Sequence, residues 1–174
     1  MNPLLLIPFS LVAGSALYYL IGGAPLLYLF LLVWLDKTIL RSVTPQILGV
    51  EVTTLAMVLA GMALGGIGGV VFAIVTIPLL EGVKGLVIPS DSPPFLPMPY
   101  HLADAIVAFI ASFLSGVGLM PALATMFAVK FMMDATIDAH FTAKPFDFLS
   151  AMLTFAFNML IVWAFGAQLT AAIL

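Results

Sequence analysis

Long apolar runs, separated by short polar or glycine-rich breaks, make up nearly the whole chain. Runs such as residues 26–35 and 151–164 do not alternate between apolar and polar side chains, as the strands of a membrane barrel would. A helix needs about 20 apolar residues to cross a bilayer, and it satisfies its own backbone hydrogen bonds there. The pattern therefore predicts an all-α fold, a polytopic integral membrane helical bundle.

The breaks divide the chain into about seven transmembrane helices, with six as the alternative count. We predict one transmembrane domain over residues 1–174, made of glycine-turned hairpins at about 3–41, 46–88 and 101–140 and a final helix at about 146–172. Pro45 marks the predicted start of the second hairpin, because proline loses no hydrogen bond in a first helical turn. The glycines at 65–69 favour a tight reversal; glycines four apart, such as Gly61 and Gly65, would alternatively let two helices pack closely.

The second and third hairpins resemble each other in layout. A shift of 53 residues places Glu51 on Asp104 and Gly65 on Gly118. Few other positions match, so the similarity concerns architecture and does not demonstrate a duplication.

Composition agrees with a lipid environment. Apolar residues make up 64% of the chain and charged residues 7%, which is too few polar groups to cover a protein of this size in water. A net charge of −3 without clustered Lys or Arg gives nucleic acid nothing to bind. The absence of cysteine excludes disulfides and iron–sulfur clusters, and we predict no cofactor.

The basic residues predict the orientation. In the predicted topology all of them lie on or nearest one side, which by the positive-inside rule is cytoplasmic; they are Lys37, Arg41, Lys84, Lys130 and Lys144. We therefore expect a multi-pass protein of the cell membrane with a cytoplasmic N-terminus. The first run has no basic region before it, which favours a retained span over a cleaved signal peptide.

Ionisable groups inside a membrane cost a few kcal/mol each on insertion scales, so each needs a partner or a function. Lys130 and Asp134 are four residues apart and can pair on one helical face. Glu51 and Asp104 have no basic neighbour at helical spacing, and both are predicted to lie one to two turns inside a helix. Either the helix dipole stabilises them there, or they face a shared polar cavity that binds a cation, a proton or an amine-bearing solute.

Four other polar residues are candidates for a site. Asp134 and Asp138 share a helical face at the predicted mouth of the cavity, and with His140 they suggest an alternative, metal-binding role. Asn158 is the one amide deep in an apolar run, where it either bonds between helices or lines a solute pocket. His101, at a predicted helix start, is interpreted as a residue of the membrane interface.

Residues 47–72 and 96–127 repeat one order of features: a short polar or proline-marked entry, an acidic residue, about a dozen apolar residues and a glycine-rich turn. This order resembles the membrane-embedded substrate-binding components of energy-coupling factor vitamin transporters. The resemblance implies a small-molecule ligand, no catalysis and a partner complex that supplies ATP hydrolysis.

We expect a transporter-like membrane subunit that binds or translocates a small solute or cation, and we do not favour an enzyme. Glu51 and Asp104 would be its principal contacts. One alternative is an accessory structural subunit of a larger respiratory or translocating membrane complex. Another is an intramembrane metal-dependent enzyme acting on lipid head groups. The expected partners are the bilayer and either other membrane subunits or further copies of the chain.

Overall fold

A computed structural model describes residues 5–40, 50–87, 95–142 and 147–174, and every regular element in these ranges is helical. The predicted all-α class is therefore confirmed. These ranges contain five α-helices: α1 Leu6–Trp34, α2 Thr53–Val87, α3 Pro99–Ala111, α4 Leu119–Ile137 and α5 Phe148–Ile173. The π-helical segments Leu35–Leu40 and Asp138–Thr142 extend α1 and α4, and the 3-10 segment Ser112–Leu114 extends α3. The predicted count of about seven helices is wrong.

The count differs because two of the helices turn back on themselves without a loop. In α1, Gly22 and Gly23 leave helical geometry, and beyond them Trp34 Nε1 donates to Ser10 Oγ at 3.1 Å. In a straight helix those residues would be about 36 Å apart at 1.5 Å per residue. The two arms of α1 therefore lie side by side.

The same happens in α2 at Gly65, whose φ of 74° is in the left-handed region that favours glycine. A Cβ on Gly69 would lie 3.0 Å from Gly61 Cα, so the two arms touch along their backbones. A Cβ on Gly61 would lie 2.0 Å from the Ala108 carbonyl oxygen of α3. The sequence left open whether these glycines reverse the chain or let helices pack closely. In α2 they do both.

Within the described ranges, four helices are long and apolar enough to cross a membrane: Leu6–Leu40, Thr53–Val87, Leu119–His140 and Phe148–Ile173. The two 35-residue helices would each extend about 52 Å if straight, well beyond the roughly 30 Å of a bilayer core. Folding back at the glycines divides each helix into two arms, which range from about 18 Å for residues 53–64 to about 33 Å for residues 66–87. Length and composition thus support the predicted membrane location.

The start of α2 forms the centre of the bundle, because every residue from Thr53 to Gly61 is buried. In contrast, α5 buries only Asn158, Val162 and Ile173 and exposes large apolar side chains, as a peripheral helix facing lipid does. The glycine turns lie at one end of the bundle. At the other, which we call the charged end, α1 and α4 finish and α2, α3 and α5 begin.

The helix predicted to begin after Pro45 can be compared with the structure only from residue 50 onward, and there the prediction is wrong. Residues 50–52 are not helical, and α2 begins at Thr53. Pro45 itself, Arg41, Lys144 and most of the proline-rich connection at 89–99 fall outside the described residues. Phe95, at the end of that connection, lays its ring against Gly82 of α2.

Candidate functional site

A cleft of about 740 Å³ opens at the charged end, between α4 and α5 and beside the starts of α2 and α3. We call it the acidic cleft. Of the residues that the structure describes, five acidic and two basic ones line it. The acidic residues are Glu51, Asp104, Asp134, Asp138 and Asp147, and the basic ones are Lys37 and Lys130.

The structure brings the five sequence-predicted binding residues together. Glu51, Asp104, Asp134 and Asp138 line the acidic cleft. Asn158 is buried next to it, and its Nδ2 donates to the carbonyl oxygens of Glu51 at 2.5 Å and Thr154 at 2.8 Å. The amide thus fixes the backbone that carries Glu51, which corresponds to the interhelical role considered for it.

Asp104 has a basic partner on another helix, which the sequence did not predict. Lys130 Nζ of α4 donates to Asp104 Oδ1 at 2.6 Å, and it lies 3.6 Å from Asp134 Oδ2 on its own helix. Asp104 is 2% exposed, so this pair is largely removed from solvent. Helical spacing identifies the pair within α4, but it contains no information about the shorter contact with α3.

Glu51 also differs from its prediction, because it precedes α2 and does not lie one to two turns inside a helix. It is partly buried, and its carboxylate interacts electrostatically with Lys130 and Asp134. Glu51 and the Asp104–Lys130 pair therefore belong to one charged group on the cleft wall.

Thr54 is the most unusual polar residue of the cleft. It lines the cavity and is 0% exposed, and its Oγ1 has no hydrogen-bond partner among the described residues. Asn158 Oδ1 is also buried and has no hydrogen-bond partner among the described residues. Leaving a buried polar atom without a partner costs about 1–3 kcal/mol, and native structures contain few such groups. Thr54 is therefore a residue of the cavity wall with an unsatisfied hydroxyl group.

Aromatic side chains form the apolar part of the cleft. Phe127 of α4 meets Phe155 of α5 edge to face at a centroid distance of 5.4 Å, and Phe131 meets Phe148 in the same way at 5.6 Å. All four rings line the cavity, as does Tyr100 of α3. The cleft thus places carboxylates beside the edges and faces of aromatic rings.

A second charged group, which we call the ionic clamp, lies beside the cleft and consists of Asp36, Lys37, Glu81 and His101. Lys37 Nζ lies 3.2 Å from Glu81 Oε1 and 3.8 Å from Asp36 Oδ2. His101 Nε2 lies 2.9 Å from Glu81 Oε2. Because these residues belong to the end of α1, the end of α2 and the start of α3, the clamp ties three helices together.

Two clamp residues also organise the local backbone. Asp36 Oδ1 accepts a hydrogen bond from Val52 N–H at 2.9 Å and Oδ2 accepts one from the Thr53 hydroxyl, which caps the start of α2. His101 Nδ1 accepts from Met98 N–H at 2.9 Å, so the ring proton lies on Nε2 and is donated to Glu81.

Sequence reasoning missed the ionic clamp. His101 was assigned to the membrane interface, but it is 1% exposed. Its partner Glu81 is 20 residues earlier in the sequence, and Lys37 is 44 residues before Glu81. No residue spacing within a single helix can therefore reveal this group. The only available signal was that each residue lies near the end of an apolar run on the same predicted side.

The metal-binding alternative gains no support from the geometry. His140 Nδ1 contacts the Thr136 carbonyl oxygen of its own helix at 2.9 Å. Within residues 5–40, 50–87, 95–142 and 147–174, no group of three or more His, Asp or Glu side chains could hold a metal ion.

No family model, curated protein or solved structure matches this chain.

Proposed function

We propose that this protein binds or translocates a small solute or cation in the acidic cleft, as a transporter-like membrane subunit. One observation carries the proposal: a cleft of about 740 Å³ inside an apolar bundle has five carboxylates on its wall. Sites for small molecules typically measure about 300–1,000 Å³ and often lie between the helices of a bundle.

The cost of ionisable groups near a membrane supports the same proposal. Only 7% of the residues are charged, and most of the acidic ones are gathered around this cavity. Such groups are rare in membrane helices, and those that occur usually face a water-filled cavity and mark a solute or ion pathway. The buried, unpartnered Thr54 hydroxyl supplies a polar contact of the kind that fixes the orientation of a ligand.

The proposal includes the resemblance to the substrate-binding components of energy-coupling factor transporters. Under it, the acidic cleft captures the solute and a partner complex supplies the energy. The exposed apolar surface of α5, which includes Trp163 at 76% exposure, would then contact lipid or that partner.

The test is thermal unfolding of the detergent-purified chain with a panel of small metabolites. A ligand at a hundred times its dissociation constant should stabilise the folded state by about 2.7 kcal/mol, which raises the melting temperature by several degrees. Glu51→Gln should abolish that increase, whereas Glu51→Asp keeps the charge and should retain part of it. Asp104 is less suitable, because its loss would also leave Lys130 without its closest partner.

Two results would contradict the proposal. One is a panel in which no compound stabilises the wild-type protein. The other is a ligand that stabilises Glu51→Gln as strongly as wild type. A chain that aggregates alone and co-purifies with catalytic subunits would favour the accessory-subunit alternative.

A further inference from the structure

We infer that the ligand of the acidic cleft is a small organic cation, an amine with an apolar body and at least one hydrogen-bonding group. This inference rests on the proposed function and names the class of solute.

The charges on the wall favour a cation. Among the described residues, five carboxylates and two lysine ammonium groups line the cleft. Both lysines already contact carboxylates, Lys130 through Asp104 and Asp134 and Lys37 through Glu81. An anionic ligand would have to compete for these ammonium groups and approach the excess of negative charge, whereas an ammonium group would reduce that excess.

Lys130 shows how this wall accommodates an ammonium group. Its Nζ lies 2.6 Å from one carboxylate and 3.6 Å from a second, in a cavity wall that also contains Phe127 and Phe131. A ligand amine entering beside it would meet carboxylate oxygens like those that Lys130 contacts, and it would also meet the aromatic rings that line the cavity. Aromatic rings attract cations through their quadrupole, and quaternary ammonium ligands are bound in this way.

The size and lining of the cleft favour an organic cation over an inorganic one. A metal ion needs several oxygen or nitrogen ligands within about 2–2.6 Å. Across the part of the chain that the structure describes, no group of three suitable side chains meets that need. A cavity of about 740 Å³ with five aromatic residues on its wall instead suits a ligand with an apolar body.

Thr54 provides independent support, because its evidence does not involve charge. The residue lines the cavity and is 0% exposed, and its hydroxyl has no partner among the described residues. It lies in the first turn of α2, three residues after Glu51. A ligand whose ammonium group approaches Glu51 could place a hydroxyl, carbonyl or second N–H group against Thr54 Oγ1.

The experiment compares ligands that share a ring system and differ in the charge of their terminal group. Tyramine, tyrosol and 4-hydroxyphenylacetate share a phenol and end in an amine, an alcohol and a carboxylate. Tryptamine, tryptophol and indole-3-acetate form a second such set. Binding to the full detergent-purified chain is measured by thermal unfolding and by native mass spectrometry. We expect the amine of each set to bind at least tenfold more tightly than its alcohol and its acid.

Two variants and a control connect the binding to the cleft. Glu51→Gln should weaken amine binding at least tenfold, and Thr54→Val should weaken it about three- to tenfold, in line with one lost hydrogen bond. Thr170→Val is the control. The Thr170 hydroxyl bonds to Gly166 O of its own helix, away from the cleft, so amine binding should not change.

The outcomes separate the two proposals. If alcohols or acids bind as tightly as amines and Glu51→Gln abolishes that binding, the cation inference fails and the binding function stands. If amines bind wild type and both cleft variants equally, they associate with the micelle or another surface, and the inference fails. If no member of either set binds, the inference also fails, and the metabolite panel decides the function separately.

Discussion

The ionic clamp and the acidic cleft lie side by side at the charged end and share Lys37, yet their surroundings differ. In the clamp, Asp36, Lys37 and His101 are at most 1% exposed, and contacts of 2.9–3.8 Å join them to groups on three helices. In the cleft, carboxylates border a cavity, and Asp134 has 32% of its side chain exposed. Buried charges that contact one another hold helices together, whereas a charge that borders a cavity can also interact with a molecule that enters it.

The Asp104–Lys130 pair lies between these extremes. It is short and largely buried like the clamp, but both residues also line the cleft. This pair therefore both joins α3 to α4 and forms part of the binding wall. The comparison predicts that variants of the clamp change stability first, and that variants of the cleft change binding first.

Lys37→Met should give the largest effect on stability. The change removes the ammonium group that contacts the carboxylates of Asp36 and Glu81, and breaking a buried pair in this way typically costs about 3–5 kcal/mol. The free energy of unfolding in detergent or bicelles measures it. Asp134→Asn is the matched control, because its partly exposed pair with Lys130 should cost only about 0.5 kcal/mol or less. Equal losses for the two variants would remove the distinction between clamp and cleft.

Gly61→Ala should destabilise the scaffold that carries both regions, by about 1–3 kcal/mol as overpacking typically does. The new Cβ would lie 2.0 Å from the Ala108 carbonyl oxygen, so α2 and α3 must move apart. Gly116→Ala is the control, since its Cβ would meet nothing within 4 Å. Unfolding free energies and ligand affinity should both fall for Gly61→Ala only. An unchanged Gly61→Ala variant would show that the close packing of α2 on α3 is not required.

Thr54→Val should give the smallest change in stability and should separate stability from binding. Replacing an unpartnered buried hydroxyl by a methyl group of similar shape removes an unfavourable burial, so the ligand-free protein should gain up to about 1 kcal/mol. Ligand affinity should fall at the same time. Loss of stability without any ligand would show instead that the hydroxyl has a structural partner.

Sequence could predict the helical class and the approximate ends of the apolar runs, because both follow from hydrophobic length. It could also single out Glu51, Asp104, Asp134 and Asp138, because acidic residues are so rare in this chain. It could not give the helix count. A glycine that turns a helix back without a loop, as Gly65 does, has the same local signal as a glycine that begins a loop.

The partners of the charged groups could not be predicted from the sequence either. Asp104 and Lys130 lie on different helices and are 26 residues apart in the sequence. Glu81 and His101 also lie on different helices, with a separation of 20 residues. Periodicity reports which residues share a face of one helix, whereas these contacts depend on how the helices pack. The predicted helix from about residue 46 is wrong at residues 50–52 for a related reason, because a proline permits a helix start without requiring one.

The most direct test of the acidic cleft is its accessibility to charged reagents. The chain has no cysteine, so a single introduced thiol can be labelled without background. Ala128 is exposed and lines the cleft, whereas Ala156 is exposed outside it on α5. We predict that Ala128→Cys reacts with a cationic methanethiosulfonate about tenfold or more faster than with an anionic one, after correction for their rates with a free thiol in solution, since negative potential in a cleft concentrates cations. Ala156→Cys should react with neither reagent, because it lies on α5 outside the cleft, where the helix faces lipid. Faster labelling of Ala128→Cys by the anionic reagent, or no labelling by either, would contradict a water-accessible, cation-selective cleft.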